Sequence, residues 1–142
     1  MMEEKILVEE VMISPPDAVE PGTTVLEAVR KMVERGKSCS IIYRDGKLWG
    51  ILTDRDIITK VVAKGLDPST VRVEDVATSP VITVTPDTPV LEAIKVFTER
   101  RVRKIPVVRE GRVVGLLTEH DVMRLMRVIM ETNEELRRIL GI

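Results

Sequence analysis

Gly50-Ile51-Leu52-Thr53-Asp54-Arg55-Asp56 returns later in the same chain as Gly115-Leu116-Leu117-Thr118-Glu119-His120-Asp121. Both copies read Gly, two aliphatic residues, Thr, two polar residues, Asp. In each copy the apolar pair ends a β-like run, and the Thr and Asp fall where a helical pattern begins. Strands that run into helices are where chains place ligand-binding groups, because the free N–H groups of the first helical turn attract anions. The pairs Gly50/Gly115 and Asp56/Asp121 set an offset of 65 residues, which holds without a gap from Val11/Val76 onward. Of the 46 aligned pairs 18 are identical, against roughly three by chance, so the chain is an internal duplication.

One template fits both halves. A leader containing Ser14-Pro15 or Ser79-Pro80 reaches a short extended piece, Ala18-Val19 or Val81 to Val84, and then Pro21 or Pro86. A helix follows. Thr24 and Glu27 have capping-box spacing ahead of Val25, Ala28, Val29, Met32 and Val33; in the second half Thr88 is the expected cap, with Pro89 as the first helical residue. Two β-rich runs then flank Asp45-Gly46 in the first half and Glu110-Gly111 in the second, which is the signature of a hairpin. A second helix starts after Thr53, with Ile57, Ile58, Val61 and Val62 as its apolar stripe, and after Thr118, with Val122, Leu125, Met126 and Ile129. Each half thus reads β-α-β-β-α. The expected fold class is α+β, with two such repeats packed sheet to sheet about a pseudo-two-fold axis. Repeat 1 spans 8–64, a linker 65–72, repeat 2 73–127, and a helical extension 128–142. That last helix is expected to run on through Met123, Met126, Met130, Leu136 and Leu140, its methionines serving as core or as a dimer contact.

Composition narrows the function. At 142 residues the chain can bury a core without disulfides or a metal and is expected as one compact unit. A net charge of −1 and a pI near 5.9 give no global reason for nucleic acid to bind. Aromatics are only 2%, so Trp49, Tyr43 and Phe97 cannot build a stacking platform for a single strand. The lone Cys39 cannot form an internal bridge and reads as a small buried hydrophobe. With no signal-like start and no long apolar run, the expected location is cytoplasmic, with no membrane partner. Charged residues at 32%, no Gln, and Asn133 as the single Asn resemble the composition of thermophile proteins.

The repeated half, the Pro106-Val107-Val108 strand, the hairpin and the Gly-x-x-Thr-x-x-Asp motif entering a helix resemble the cystathionine β-synthase (CBS) domain, as a tandem pair, over roughly Val8 to Arg127. The resemblance implies a regulatory module that binds AMP, ADP or ATP, sometimes S-adenosylmethionine, in clefts between the two repeats. It also implies a homodimer in which four repeats form a flat disc. In the family the motif Asp bonds ribose hydroxyls and the motif Ser or Thr lies near the phosphate; the matching positions are Asp56 and Asp121, Thr53 and Thr118. Family sites draw on the opposite repeat as well. That pattern joins Asp121 and Thr118 to Met12, Asp17, Lys37 and Ser38, and joins Asp56 and Thr53 to Ala77, Ile82, Val102 and Arg103. The copies differ, since Asp17 stands where the second has Ile82 and Ser38 where it has Arg103. The expected order is a tighter Asp56 site, with Pro16-Asp17 distorting the first strand of the first copy.

Plainer readings stand beside these. Thr-x-x-Asp is also a helix capping box that needs no ligand. Arg100, Arg101, Arg103 and Lys104 form the densest basic cluster, open to three readings: a solvated helix end, a phosphate contact, or a nucleic-acid contact. His120 reads as an exposed helix-start residue or a pocket border. No nucleophile with a base, HExxH or GxxxxGK[ST] occurs, and Asp56 and Asp121, as equivalent positions of two repeats, suit two clefts better than one reaction centre. The expected protein is therefore not an enzyme and requires no cofactor. It is a stand-alone module signalling to an unknown protein effector in trans, or else a structural and interaction module with vestigial pockets.

Overall fold

The structure is a computed structural model and describes residues 5–142. Where length suggested a single compact unit, the chain forms two, each discontinuous in sequence. One takes in Pro15–Ile82 and Glu110–Val113; the other takes in the described residues up to Ser14, with Thr83–Arg109 and Val114–Ile142. The α+β class and the two repeats hold in both.

In the Pro15–Ile82 unit, β1 (Ala18–Val19) runs parallel to β2 (Cys39–Arg44), which pairs antiparallel with β3 (Lys47–Thr53). Helix α1 (Val25–Arg35) starts in the predicted capping box: the Glu27 amide donates to Thr24 Oγ1 at 3.1 Å and the Thr24 amide to Glu27 Oε2 at 3.0 Å. Its buried Val25, Ala28 and Met32 are spaced to face one side, and they meet Val19, Ile42, Leu52, Val61, Val73 and Val76 in a single apolar core. The Asp45-Gly46 turn has both residues at positive φ, as a two-residue hairpin requires. Cys39 is buried, as expected.

The second unit repeats this plan with α4 (Val90–Arg100), β4 (Lys104–Arg109) and β5 (Arg112–Thr118), around Val84, Ala93, Phe97, Ile105, Val107, Leu117 and Val122. The expected first strand, Val81 to Val84, shrinks to one parallel bridge between Val84 and Val107. It is the first copy, in spite of Pro16-Asp17, that keeps a regular pair. Thr88 does not cap α4. Pro89 itself is the N-cap, at φ −58° and ψ 135°, and the Thr88 hydroxyl bonds the Thr85 amide at 3.1 Å instead.

The two leaders hold structure that sequence periodicity is too short to reveal. A helical turn at Val8–Glu10 and helix α3 (Val73–Val76) are equivalent positions of the repeat, and each buries valine. Each serves the other repeat's unit. Val73 donates to Thr23 O at 2.9 Å, and Val8 donates to Thr88 O at 2.8 Å. The predicted linker is likewise ordered: Gly65 and Leu66 bond back to Val62 and Val61, and Asp67 closes a turn on Ser69.

Two helix predictions need correction. After α2 (Asp54–Ile57) the chain widens into a π-helical turn, Ile58–Val62, closed by Ala63 N to Ile58 O at 2.9 Å. Widening the turn rotates the stripe, so Val61 is buried while Ile58 and Val62 are 60% and 67% exposed. The C-terminal helix does not run on either. α5 (Glu119–Thr132) stops at Asn133, whose extended backbone and side-chain oxygen, accepting from Leu136 N at 3.1 Å, start α6 (Glu134–Leu140) afresh. Met123 and Met126 are exposed, so their packing role is not met within the chain.

Candidate functional site

Each repeated motif sits where its hairpin's second strand ends. The pairing Cys39↔Thr53 brings the residue before β2 beside the motif, and Asp54 N donates to Ser38 O at 3.1 Å. The second copy does the same, Glu119 N donating to Arg103 O at 3.1 Å. Ser38 and Arg103 thus each lend a carbonyl to the first helical turn of their own repeat's motif. The physical reason is the hairpin, which returns the chain to the point just before its first strand.

The leader of the other repeat completes the frame. Ile51 and Thr78 exchange both main-chain hydrogen bonds, at 3.0 and 2.8 Å; Leu116 and Ile13 do so at 3.0 and 2.9 Å. This contact explains the glycine of the motif. A Cβ on Gly50 would stand 3.2 Å from the Thr78 carbonyl oxygen, and one on Gly115 would meet Met12 Sδ and stand 3.1 Å from the Ile13 carbonyl oxygen. A Cβ at either position would press on the leader, so glycine suits this close approach of two backbones.

The carboxylates are buried, Asp56 at 5% and Asp121 at 3% exposure. In both copies the capping box is complete. Thr53 Oγ1 accepts from Asp56 N at 3.1 Å and donates to Asp56 Oδ2 at 3.0 Å, and Thr53 N donates to the same oxygen at 3.0 Å. Thr118 and Asp121 repeat the set at 3.2, 2.6 and 2.9 Å. The second oxygens differ. Asp56 Oδ1 takes the Thr78 hydroxyl at 3.0 Å and Lys60 Nζ at 2.9 Å; Asp121 Oδ1 takes Arg124 Nη2 at 2.9 Å. Sequence reasoning missed Lys60, Thr78 and Arg124. A cation three or four residues after an acid on a helix is the readable signal for two of them; Thr78 becomes visible only through the strand pairing.

The remaining candidates fall as follows. Ala77 lies 3.7 Å from a Cβ built on Gly50, in the unit that holds Asp56, and Ile82 belongs to that unit too. Val102 packs on the core of the Asp121 unit, which also holds Arg103 and Met12. Lys37 and Asp17 belong to the Asp56 unit, where Lys37 N closes α1 on Met32 O at 2.8 Å. Asp17 faces Arg35 Nε at 3.8 Å, so its charge has a local partner. His120 is exposed in the first turn of α5, as its plainer reading expects. Among the described residues no cluster of three or more His, Cys, Asp or Glu could hold a metal ion, and no helix is long and apolar enough to cross a membrane.

Comparison with known proteins agrees with this architecture. The chain is similar to the mitochondrial CBS domain-containing protein CBSX3 of Arabidopsis thaliana, 35% identical over 121 residues, which cover 82% of this chain and 58% of the relative. It spans about three fifths of the length of the first curated relatives it matches. Among solved structures it is similar to the CBS domain pair of protein MJ0100 in complex with 5′-methylthioadenosine and S-adenosyl-L-methionine. There the TM-score is 0.80, the identity 28%, and the coverage 89% of this chain and 99% of that one. A hexameric CBS-CP12 protein from bloom-forming cyanobacteria matches with a TM-score of 0.80 and 26% identity, over 91% of this chain and 76% of that one. The CBS-domain family model matches residues 8–63 and 73–128, the same two stretches that carry the motif, the hairpin and the exchanged leaders; the chain belongs to the CBS-domain family, with two domains in tandem.

Proposed function

We propose that this CBS pair is a regulatory, non-catalytic module that binds an adenine nucleotide, AMP, ADP or ATP, at its Thr-x-x-Asp motifs and reports its presence to a protein partner. The observation that carries the reading is the pair of carboxylates, nearly excluded from water yet placed at strand-to-helix junctions in the same set of bonds. A carboxylate accepts two hydrogen bonds from a ribose cis-diol, and a Thr hydroxyl with the first helical N–H groups suits phosphate. CBS pairs are in general ligand-binding regulatory modules, and the neighbour seen with 5′-methylthioadenosine and S-adenosyl-L-methionine supports the adenosine moiety. It also makes S-adenosylmethionine the alternative ligand. Diol hydroxyls would replace side-chain donors on the carboxylate, and freeing those side chains favours one conformation over another, which a partner senses as a population shift.

Thermal unfolding with AMP, ADP, ATP or S-adenosylmethionine tests this. A ligand present at 100 times its Kd stabilises the native state by about 2.7 kcal/mol, roughly 8 °C for a chain of this size. The effect should vanish in Asp56→Ala/Asp121→Ala with the fold retained. No shift with any of the four at millimolar concentration refutes the nucleotide reading. It would favour the second one, an interaction module with vestigial pockets, which the fully satisfied capping boxes already suit. We further propose self-association through the exposed apolar residues Ile58, Val62, Met123 and Met126; a monomer in sedimentation at micromolar concentration would refute it.

A further inference from the structure

We infer that Lys60 closes the Asp56 carboxylate to an outside diol, so that the first motif works as an internal tie and the Asp121 motif alone receives the ligand. This rests on the nucleotide reading above. A carboxylate offers about four acceptor positions. Around Asp56 four donors fill them: the Thr53 amide and hydroxyl on Oδ2, the Thr78 hydroxyl and Lys60 Nζ on Oδ1. Lys60 is held twice, since its Nζ also donates to the Val76 carbonyl at 3.0 Å, at the end of α3. Its position four residues after Asp56 puts it on the same side of the helix. Thr78 is fixed in turn by its main-chain pair with Ile51. A ribose approaching Asp56 must therefore displace an ammonium from two acceptors at once, or a hydroxyl whose backbone is locked.

The second motif lacks both obstacles. The residue equivalent to Lys60 is Leu125 and the one equivalent to Thr78 is Ile13; neither side chain has a donor. On Asp121 Oδ1 the one donor described is Arg124, whose side chain is 53% exposed and can swing into water. One acceptor position is left over. The order of the two sites is thus the reverse of the one expected from Ile82 and Asp17.

Calorimetric titration of the full chain with AMP decides this through stoichiometry. The expected result is one AMP per chain, lost in Asp121→Asn, and two per chain in Lys60→Met. Two AMP per unmodified chain, a single site that survives Asp121→Asn, or a folded Lys60→Met that stays at one would each overturn the inference while leaving nucleotide binding intact. Circular dichroism establishes that the variants are folded. Should Lys60→Met fail to fold, the stoichiometries of the unmodified chain and of Asp121→Asn still support or overturn the inference. No binding of AMP, ADP, ATP or S-adenosylmethionine by the unmodified chain would refute the nucleotide reading, and the inference with it.

Discussion

Replacing Thr118 by valine isolates what the motif hydroxyl contributes to stability. Thr118 Oγ1 accepts from the Asp121 amide at 3.2 Å and donates to Asp121 Oδ2 at 2.6 Å. Valine keeps the shape, the strand preference and the main-chain bond from residue 118 to the same oxygen. Two bonds are lost. The N-cap bond is worth about 1 kcal/mol, and a hydroxyl bond to a charged, buried carboxylate about 1.5–3 kcal/mol. The two share one oxygen atom and are not independent, so the expected loss is about 2–3 kcal/mol, or roughly 6–9 °C. Urea unfolding followed by circular dichroism measures it directly. Thr118→Ser, which retains the hydroxyl, should stay within about 1 kcal/mol of the parent, because serine caps as well as threonine. A valine variant that loses less than about 0.5 kcal/mol, or a serine variant that loses as much as valine, would refute the reasoning, since the hydroxyl would then not be the source.

The glycine of the second motif should resist substitution. Gly115→Ala forces the new Cβ against Met12 Sδ and the Ile13 carbonyl, an overpacking that costs about 1–3 kcal/mol; Met12→Ala in the same background should recover part of it. Unchanged unfolding of Gly115→Ala would mean that the leader does not lie on β5. A third expectation concerns acid. The Asp67 carboxyl is held below its ordinary value, first by the Ser69 hydroxyl and then by the Ser69 amide. With the folded value depressed, the order this contributes is complete above the unfolded value and is lost as pH falls through the folded one. An NMR titration of Asp67 should show the depressed midpoint moving toward the ordinary carboxylate range in Ser69→Ala, and a midpoint that stays where it was would remove Ser69 as the cause.

Much of the local structure was readable because it is made by residues near in sequence. The Thr24/Glu27 and Thr53/Asp56 boxes span three positions, the hairpin turns span two, and the buried stripe of α1 follows helical spacing. Reading failed where one residue changed the geometry. Pro89 took the cap from Thr88, a single extra residue in the turn at Ile58–Val62 carried two aliphatic side chains outward, and Asn133 stopped a helix whose apolar pattern continues beyond it. The candidate site was half legible. Asp56, Asp121 and their threonines came from the motif, but Lys60, Thr78 and Arg124, which occupy the carboxylates, did not.

The duplication, the β-α-β-β-α order and the places of the two carboxylates follow from the residues taken in order, since a repeat offset and short-range hydrogen bonds are local properties of the chain. Tertiary structure alone decided that each leader serves the other repeat's unit. The cause lies in a strand pairing, Ile51 with Thr78 and Ile13 with Leu116, that needs a glycine's missing side chain on one strand and backbone brought from 27 or about 100 positions away on the other. It also decided that the copies are unequal. The same aspartate is tied by Lys60 and Thr78 in one copy and by Arg124 in the other, and the Thr78 contact exists only because the leader is exchanged.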